Sequence, residues 1–181
     1  MAVKTFGSEI LTSGDVNTYL ANSGLVYVTS QAVGTGVSSV TVTGCFSSTY
    51  DNYKVIYTDG VLSSNTSISV QFGSAASNYY GTLVYANWSG TTTPQSAVTN
   101  NGASAQYCGG GDTGFSEVNA DVLNPFRPKL SIIMGNMMNG STHGTFSYRL
   151  NDSNSYSSIT LFPTAGTMTG GIITVYGYRK G

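Results

Sequence analysis

Charge is what this sequence has least of: Lys, Arg, Asp and Glu together make up 8% of 181 residues and leave a formal net charge of −1. A phosphate backbone is held by clustered Lys and Arg, so no nucleic-acid partner is expected. Long apolar runs are missing too, and no stretch reaches the roughly 18 residues that a membrane-spanning helix needs, so membrane insertion is not expected. The segment after Lys4 is polar and Gly/Ser-rich where a signal peptide needs an apolar core, which points to folding in a cytoplasm. Cysteine is scarce. Cys45 and Cys108 lie far apart and belong to no C-x-x-C pair, so two buried free thiols are favoured over a disulfide or a metal site. His143 is the sole histidine and cannot head a metal cluster, so no metal or cofactor is expected, and a solvated turn residue is the favoured reading of it.

What is present is hydroxyl and aromatic. Solubility falls to Ser, Thr, Asn, Gly and thirteen Tyr, while hydrophobic residues make up 40% of the chain and aromatics 12%. The apolar residues recur with period two between turn signals, the pattern of half-buried strands. Thr66–Phe72 is the cleanest case, with Ile68, Val70 and Phe72 expected inward and Ser67, Ser69 and Gln71 outward. Further strands are expected at Leu25–Thr29, Val37–Thr43, Tyr53–Thr58 (ended by Asp59-Gly60), Tyr79–Trp88, Lys129–Met134, Thr145–Leu150, Ser157–Phe162 and Ile172–Tyr178. Between Ser89 and Gly114 the polar, glycine-rich sequence predicts loops with one short strand near Ala103–Tyr107. Many short strands with no helical period between them indicate an all-β chain, an antiparallel β-sandwich of jelly-roll-like type over residues 25–181. Its expected core includes Ile68, Val70, Phe72, Ile132, Phe146, Tyr148, Ile159, Leu161 and Val175.

Residues 1–24 read differently, as a flexible Met1–Ser8 arm followed by a short N-terminal helix. Thr12 is placed to cap the helix, with the Asp15 carboxylate on its positive end, Leu11 and Val16 forming a staple, and Gly24 closing it. Val16, Tyr19 and Leu20 give it one narrow apolar stripe. A helix of about ten residues is marginal alone in water, so Leu11, Val16, Tyr19 and Leu20 are expected to dock on a partner or on the base of the sandwich.

Other clusters carry a chemical reading and a plainer one. Gly109-Gly-Gly-Asp-Thr-Gly114 has the glycine content of a phosphate loop but lacks its Gly-Lys-Ser/Thr ending, so a flexible loop is expected. Asp112, Glu117, Asp121 and Asp152 supply carboxylates for a glycosidase, yet nothing in their spacing fixes two of them a few ångströms apart, and surface solubility is favoured. Tyr79, Tyr80, Tyr85 and Trp88 crowd around one strand. Such rings beside Asn and Ser side chains stack on sugars, which makes these four the candidate glycan contacts, although structural burial is favoured for Trp88.

The N-terminal residues Lys4-Thr-Phe-Gly-Ser-Glu-Ile-Leu-Thr-Ser-Gly-Asp-Val-Asn-Thr-Tyr-Leu-Ala-Asn22 resemble the opening segment of many tailed-bacteriophage virion structural proteins. Phe46-Ser-Ser-Thr-Tyr-Asp-Asn-Tyr-Lys-Val-Ile56 is similar to a segment that such proteins carry before a core strand, and Gly171-Ile-Ile-Thr-Val-Tyr-Gly-Tyr178 to their closing strand. Together these cover about a third of the chain, and no catalytic residue carries over. The resemblance implies a non-enzymatic tail or fibre component, assembled in the bacterial cytoplasm into the virion. Other virion proteins are its implied partners, and adhesion to a host surface glycan is a further role. Low charge gives little repulsion between copies, so self-association is expected, as a trimer by analogy with the family. A capsid decoration protein and a carbohydrate-active depolymerase are the alternatives.

Overall fold

The computed structural model describes residues 3–5, 8–10, 24–89 and 93–180, and among them every regular element is a β-strand. In chain order these are β1 (Val3–Thr5), β2 (Ser8–Ile10), β3 (Leu25–Ala32), β4 (Val40–Val42), β5 (Asn52–Leu62), β6 (Thr66–Phe72), β7 (Tyr79–Asn87) and β8 (Gln95–Gly102). They continue with β9 (Ala105–Gly111), β10 (Ser116–Leu123), β11 (Ser131–Met138), β12 (Thr142–Leu150), β13 (Ile159–Pro163), β14 (Met168–Thr169) and β15 (Ile172–Tyr178). Where a flexible arm is expected, β1 and β2 pair as an antiparallel hairpin. The expected helix, with Leu11, Val16, Tyr19 and Leu20, lies outside the described residues.

All ladders are antiparallel. One path runs β4-β13-β6-β9-β10-β11-β12-β7-β8, and β5 takes the other side of β10, followed by β15 and then β3. Eight strands therefore lie side by side in the order β8-β7-β12-β11-β10-β5-β15-β3. The remaining run β4-β13-β6-β9 folds across them, and β9 packs on β11, β12 and β7, with none of which it shares a ladder. The core fills the space between. Tyr53, Val55, Tyr57, Val118, Ala120, Ile133, Phe146 and Tyr148 come from the long run, and Val42, Ile68, Val70, Phe72, Ile159 and Leu161 from the short one. Strand alternation supplies this inner face because successive side chains point to opposite sides.

Four expectations are corrected. Ile132 is only half-buried and the core residue is its neighbour Ile133, since two adjacent isoleucines leave the phase of the strand open until its pairing fixes it. Asp59-Gly60 does not end β5: Asp59 takes φ 62° at a bulge opposite Ser116 and Val118, and the strand continues to Leu62. The Ser89–Gly114 passage has the strand expected near Ala103–Tyr107, but longer, and a second one before it. It holds β8 and β9, and the run Cys108-Gly109-Gly110-Gly111 is buried strand. A Cβ on Gly109 would stand 2.3 Å from the Glu117 carbonyl oxygen and 2.6 Å from Val118 Cγ2, so glycine serves close strand approach here rather than flexibility. Ser67 and Ser69, expected outward, are buried as well.

Both cysteines are free and buried. The Cys45 thiol donates to the Val42 carbonyl at 3.3 Å and that of Cys108 to Ala105 at 3.4 Å. Desolvation pushes the Cys45 pKa up to about 12 and raises that of Cys108, which keeps both as unreactive thiols.

Candidate functional site

The ladders give the eight-stranded run two distinct ends. Leu25 pairs with Tyr178, Gly177 with Tyr53, Asn52 with Leu123, Leu123 with Ile132, Ser131 with Leu150 and Leu150 with Tyr79, so all of these lie at one end. Gly24 joins them by accepting from the Arg179 N–H at 3.1 Å, so the chain enters the sheet here. Asn87 pairs with Thr142 at the opposite end, and Trp88 extends that ladder by donating its backbone N–H to the Ser141 carbonyl at 2.9 Å.

The four candidate aromatics separate on this frame. Tyr79 is fully buried, its hydroxyl accepting from the Phe72 N–H at 2.8 Å and its pKa raised by desolvation, which removes it from any glycan contact. Tyr80 points outward near the entry end, half-buried beneath the Arg149 guanidinium at 5.6 Å. Tyr85, also half-buried, donates its hydroxyl to Gln95 Oε1 at 2.8 Å. Trp88 alone presents a largely open ring. It is 57% exposed, contrary to the expected burial, because even-numbered residues of β7 face outward and the strand ends as its neighbours do.

Around Trp88 the polar residues are locked. Its indole N–H donates to the Asn139 carbonyl at 3.3 Å, and its ring meets His143 edge-on with centroids 5.2 Å apart. Asn139 Oδ1 accepts from the Ser141 N–H at 3.0 Å and from the Thr142 N–H and hydroxyl at 2.8 and 2.7 Å, an Asx turn that closes the β11–β12 hairpin. Asn65 clamps the same turn, accepting from Gly140 N–H at 3.0 Å and donating to Ser141 Oγ at 3.1 Å. His143 is thus an exposed strand residue beside an indole, not a free turn residue. From it an open groove of about 290 Å³ runs along the outer face past Val84, Ala86, Pro94 and Thr145.

Charge is unevenly placed. Of residues 24–180, the cations Lys54, Arg127, Lys129, Arg149, Arg179 and Lys180 all lie in the half around the entry end, with Asp51, Asp121 and Asp152. The Trp88 half holds Asp59, Asp112 and Glu117 and no Lys or Arg. At the entry end Asp51 binds Arg127 and Lys180, which lower its pKa, and so ties the β10–β11 loop to the closing residues.

Of the four carboxylates of the hydrolase reading, three are held by other groups. Asp112 accepts from the Gly114 N–H at 2.7 Å; Asp121 accepts from the Tyr178 hydroxyl at 2.5 Å and pairs with Lys54 at 3.4 Å; Asp152 accepts from Asn154 N–H and the Tyr156 hydroxyl. Glu117 and Asp121 are four positions apart on one strand, about 13 Å, beyond the roughly 5 to 9.5 Å of glycosidase pairs. Asp152 borders a cleft of about 620 Å³, but shares it with Ser74, Ser77, Asn78, Asn154 and Tyr156 and no second acid. Among the described residues no three of His, Cys, Asp and Glu gather as a metal site.

Glu117 is half-buried and its pKa is raised by desolvation, so the folded chain favours its neutral form. Its contribution is then most favourable at low pH and declines as pH rises through the ordinary carboxylate value. Glu117→Gln is expected to melt at a higher temperature than the parent at pH 7 and at the same temperature at pH 3. A difference independent of pH in thermal melts contradicts the assignment.

No model of a known protein family matches the chain, and comparison with curated protein sequences finds no match.

Proposed function

We propose that this chain is a non-enzymatic structural protein of a tailed-bacteriophage virion, a tail or fibre component that docks through residues 1–24 and displays residues 25–181 toward the host surface. The observation that carries the reading is the polarity of the sheet. The described sheet begins at Gly24 and Leu25 at the cation-bearing end, and the open Trp88 tip stands at the opposite end, which among residues 24–180 carries no Lys or Arg. A protein held at one end and read at the other needs this arrangement. We read the two packed runs as a jelly-roll-like β-sandwich, in which β5–β10, β6–β13 and β7–β12 supply the long-range pairings. Asp112, Asp121 and Asp152 are each held by neighbouring groups rather than aimed into a shared cleft with a second acid, which counts against the depolymerase. The same polarity also serves a capsid decoration protein, and imaging of the particle separates the two.

The outer face of the eight strands supports self-association. One row across it reads Tyr27, Tyr176, Lys54, Asp121, Met134, Ser147, Thr82 and Val98, with a single ion pair among hydroxyls and apolar side chains. Tyr27, Val84, Val98 and Ile172 are about half exposed or more. Such a face suits copies lying side by side, as a trimer. Multi-angle light scattering at micromolar concentration should give the mass of three chains, and a monomer at every concentration tested removes the trimer from the proposal.

A further inference from the structure

We propose that the Trp88 indole is the stacking platform for an uncharged sugar ring, with the Asn65–Asn139–Ser141 turn as its polar rim. The inference rests on the display reading above for its place on the particle and names the ligand class that the displayed end takes.

Three observations carry it. The ring is open yet fixed: the backbone N–H, the indole N–H and the edge facing His143 are each engaged, so a face is available without ordering a mobile side chain on binding. An indole held in this way offers a flat apolar surface to the C–H face of a pyranose, the usual use of Trp in sugar recognition. Next, the rim matches sugar hydroxyls. Asn139 Nδ2 has no partner among the described residues, and the Ser141 hydroxyl, held between Asn65 Nδ2 and Asn139 Oδ1, has a further lone pair to offer. Because the turn is locked by its own hydrogen bonds, these groups are pre-placed. Finally, the charges choose the sugar. Asp112 packs against Gly140 of the same turn, and among residues 24–180 the other charged residues in this half are Asp59 and Glu117. A uronic or sialic acid would bring its carboxylate toward acids with no described Lys or Arg to offset it, whereas a hexose or N-acetylhexosamine meets no such cost. The groove beyond His143, floored by Val84 and Ala86, continues the platform for an adjoining ring.

Trp88 is the only tryptophan, so fluorescence of the full chain excited at wavelengths where tyrosine does not absorb reports on this site alone. The chain is titrated to millimolar concentration with neutral hexose and N-acetylhexosamine oligomers and, in parallel, with an oligogalacturonate. The expected result is a saturable blue shift with at least one neutral oligomer and none with the uronate. By calorimetry, Trp88→Ala is expected to weaken that oligomer at least tenfold and Trp88→Tyr by less, with melting temperatures close to the parent because the ring is exposed. Absence of any shift with the neutral oligomers, an Ala variant that binds as tightly as the parent, or equal binding of the uronate overturns the inference. Particle incorporation is scored separately. A chain that binds the oligomer but is missing from particles defeats the display reading alone, and a chain present on particles that binds no neutral sugar defeats this inference alone.

Discussion

A chain beginning at Leu25 is expected to fold and yet fail to join particles. Among the described residues the strands that build the core all lie at or beyond Leu25, and β3 pairs with β15 through seven residue partners. Cooperative melting should therefore survive the truncation. Docking should not. Docking of Leu11, Val16, Tyr19 and Leu20 on a neighbour, as proposed, would draw roughly 1.5 to 3 kcal/mol from each before ordering costs are subtracted, so their removal is expected to abolish most of the attachment. Incorporation is measured by quantifying the chain in purified particles after complementation. Normal incorporation places docking elsewhere, and a truncated chain that does not fold makes residues 1–24 part of the domain core.

Gly109→Ala is expected to be strongly destabilising, because its Cβ meets the backbone of β10 rather than the end of a movable side chain. Overpacking of this kind costs about 1 to 3 kcal/mol and sometimes more. Gly114→Ala is the control: it lies in the β9–β10 turn, and its nearest contact is Asp112 Oδ1 at 3.3 Å. Chemical denaturation should show a large loss of stability for the first variant and a small one for the second. Equal, small losses would mean that the glycine run is loop after all.

These two glycines also show where the sequence could be read and where it could not. Strands with clean alternation, Thr66–Phe72 and Ile172–Tyr178, have the expected bounds: the second has one buried face, and the first, buried on both, still alternates hydroxyl or amide with large apolar side chains. β9 hides its period. Its side of closest approach is made of glycines, which carry no hydropathy signal and look the same in a turn as in a crowded strand. β8 hides for a different reason: it is an edge strand with an almost wholly polar sequence, Gln95-Ser-Ala-Val-Thr-Asn-Asn-Gly102, and only Thr99 of its eight residues is buried. The aromatic cluster was visible as composition, but its division was not, since Tyr79 and Tyr85 fall on the inner parity of β7 and Tyr80 and Trp88 on the outer. The turn that fixes Trp88 combines Asn65 and Asn139, more than seventy residues apart. No local pattern announces that partnership; only the pairing of β11 with β12 and the position of the β5–β6 connection bring them together.

The central claim is a direction, with the Leu25 end on the particle and the Trp88 end away from it. Cryo-electron microscopy of intact particles, at a resolution that traces the strands, measures that direction. The account predicts Gly24, Arg179 and the Asp51–Arg127–Lys180 cluster against a neighbouring virion protein, with Trp88 and the Asn139 turn facing solvent. Density showing the Trp88 end buried against the particle and Gly24 pointing outward, or particles that lack the chain, would contradict it.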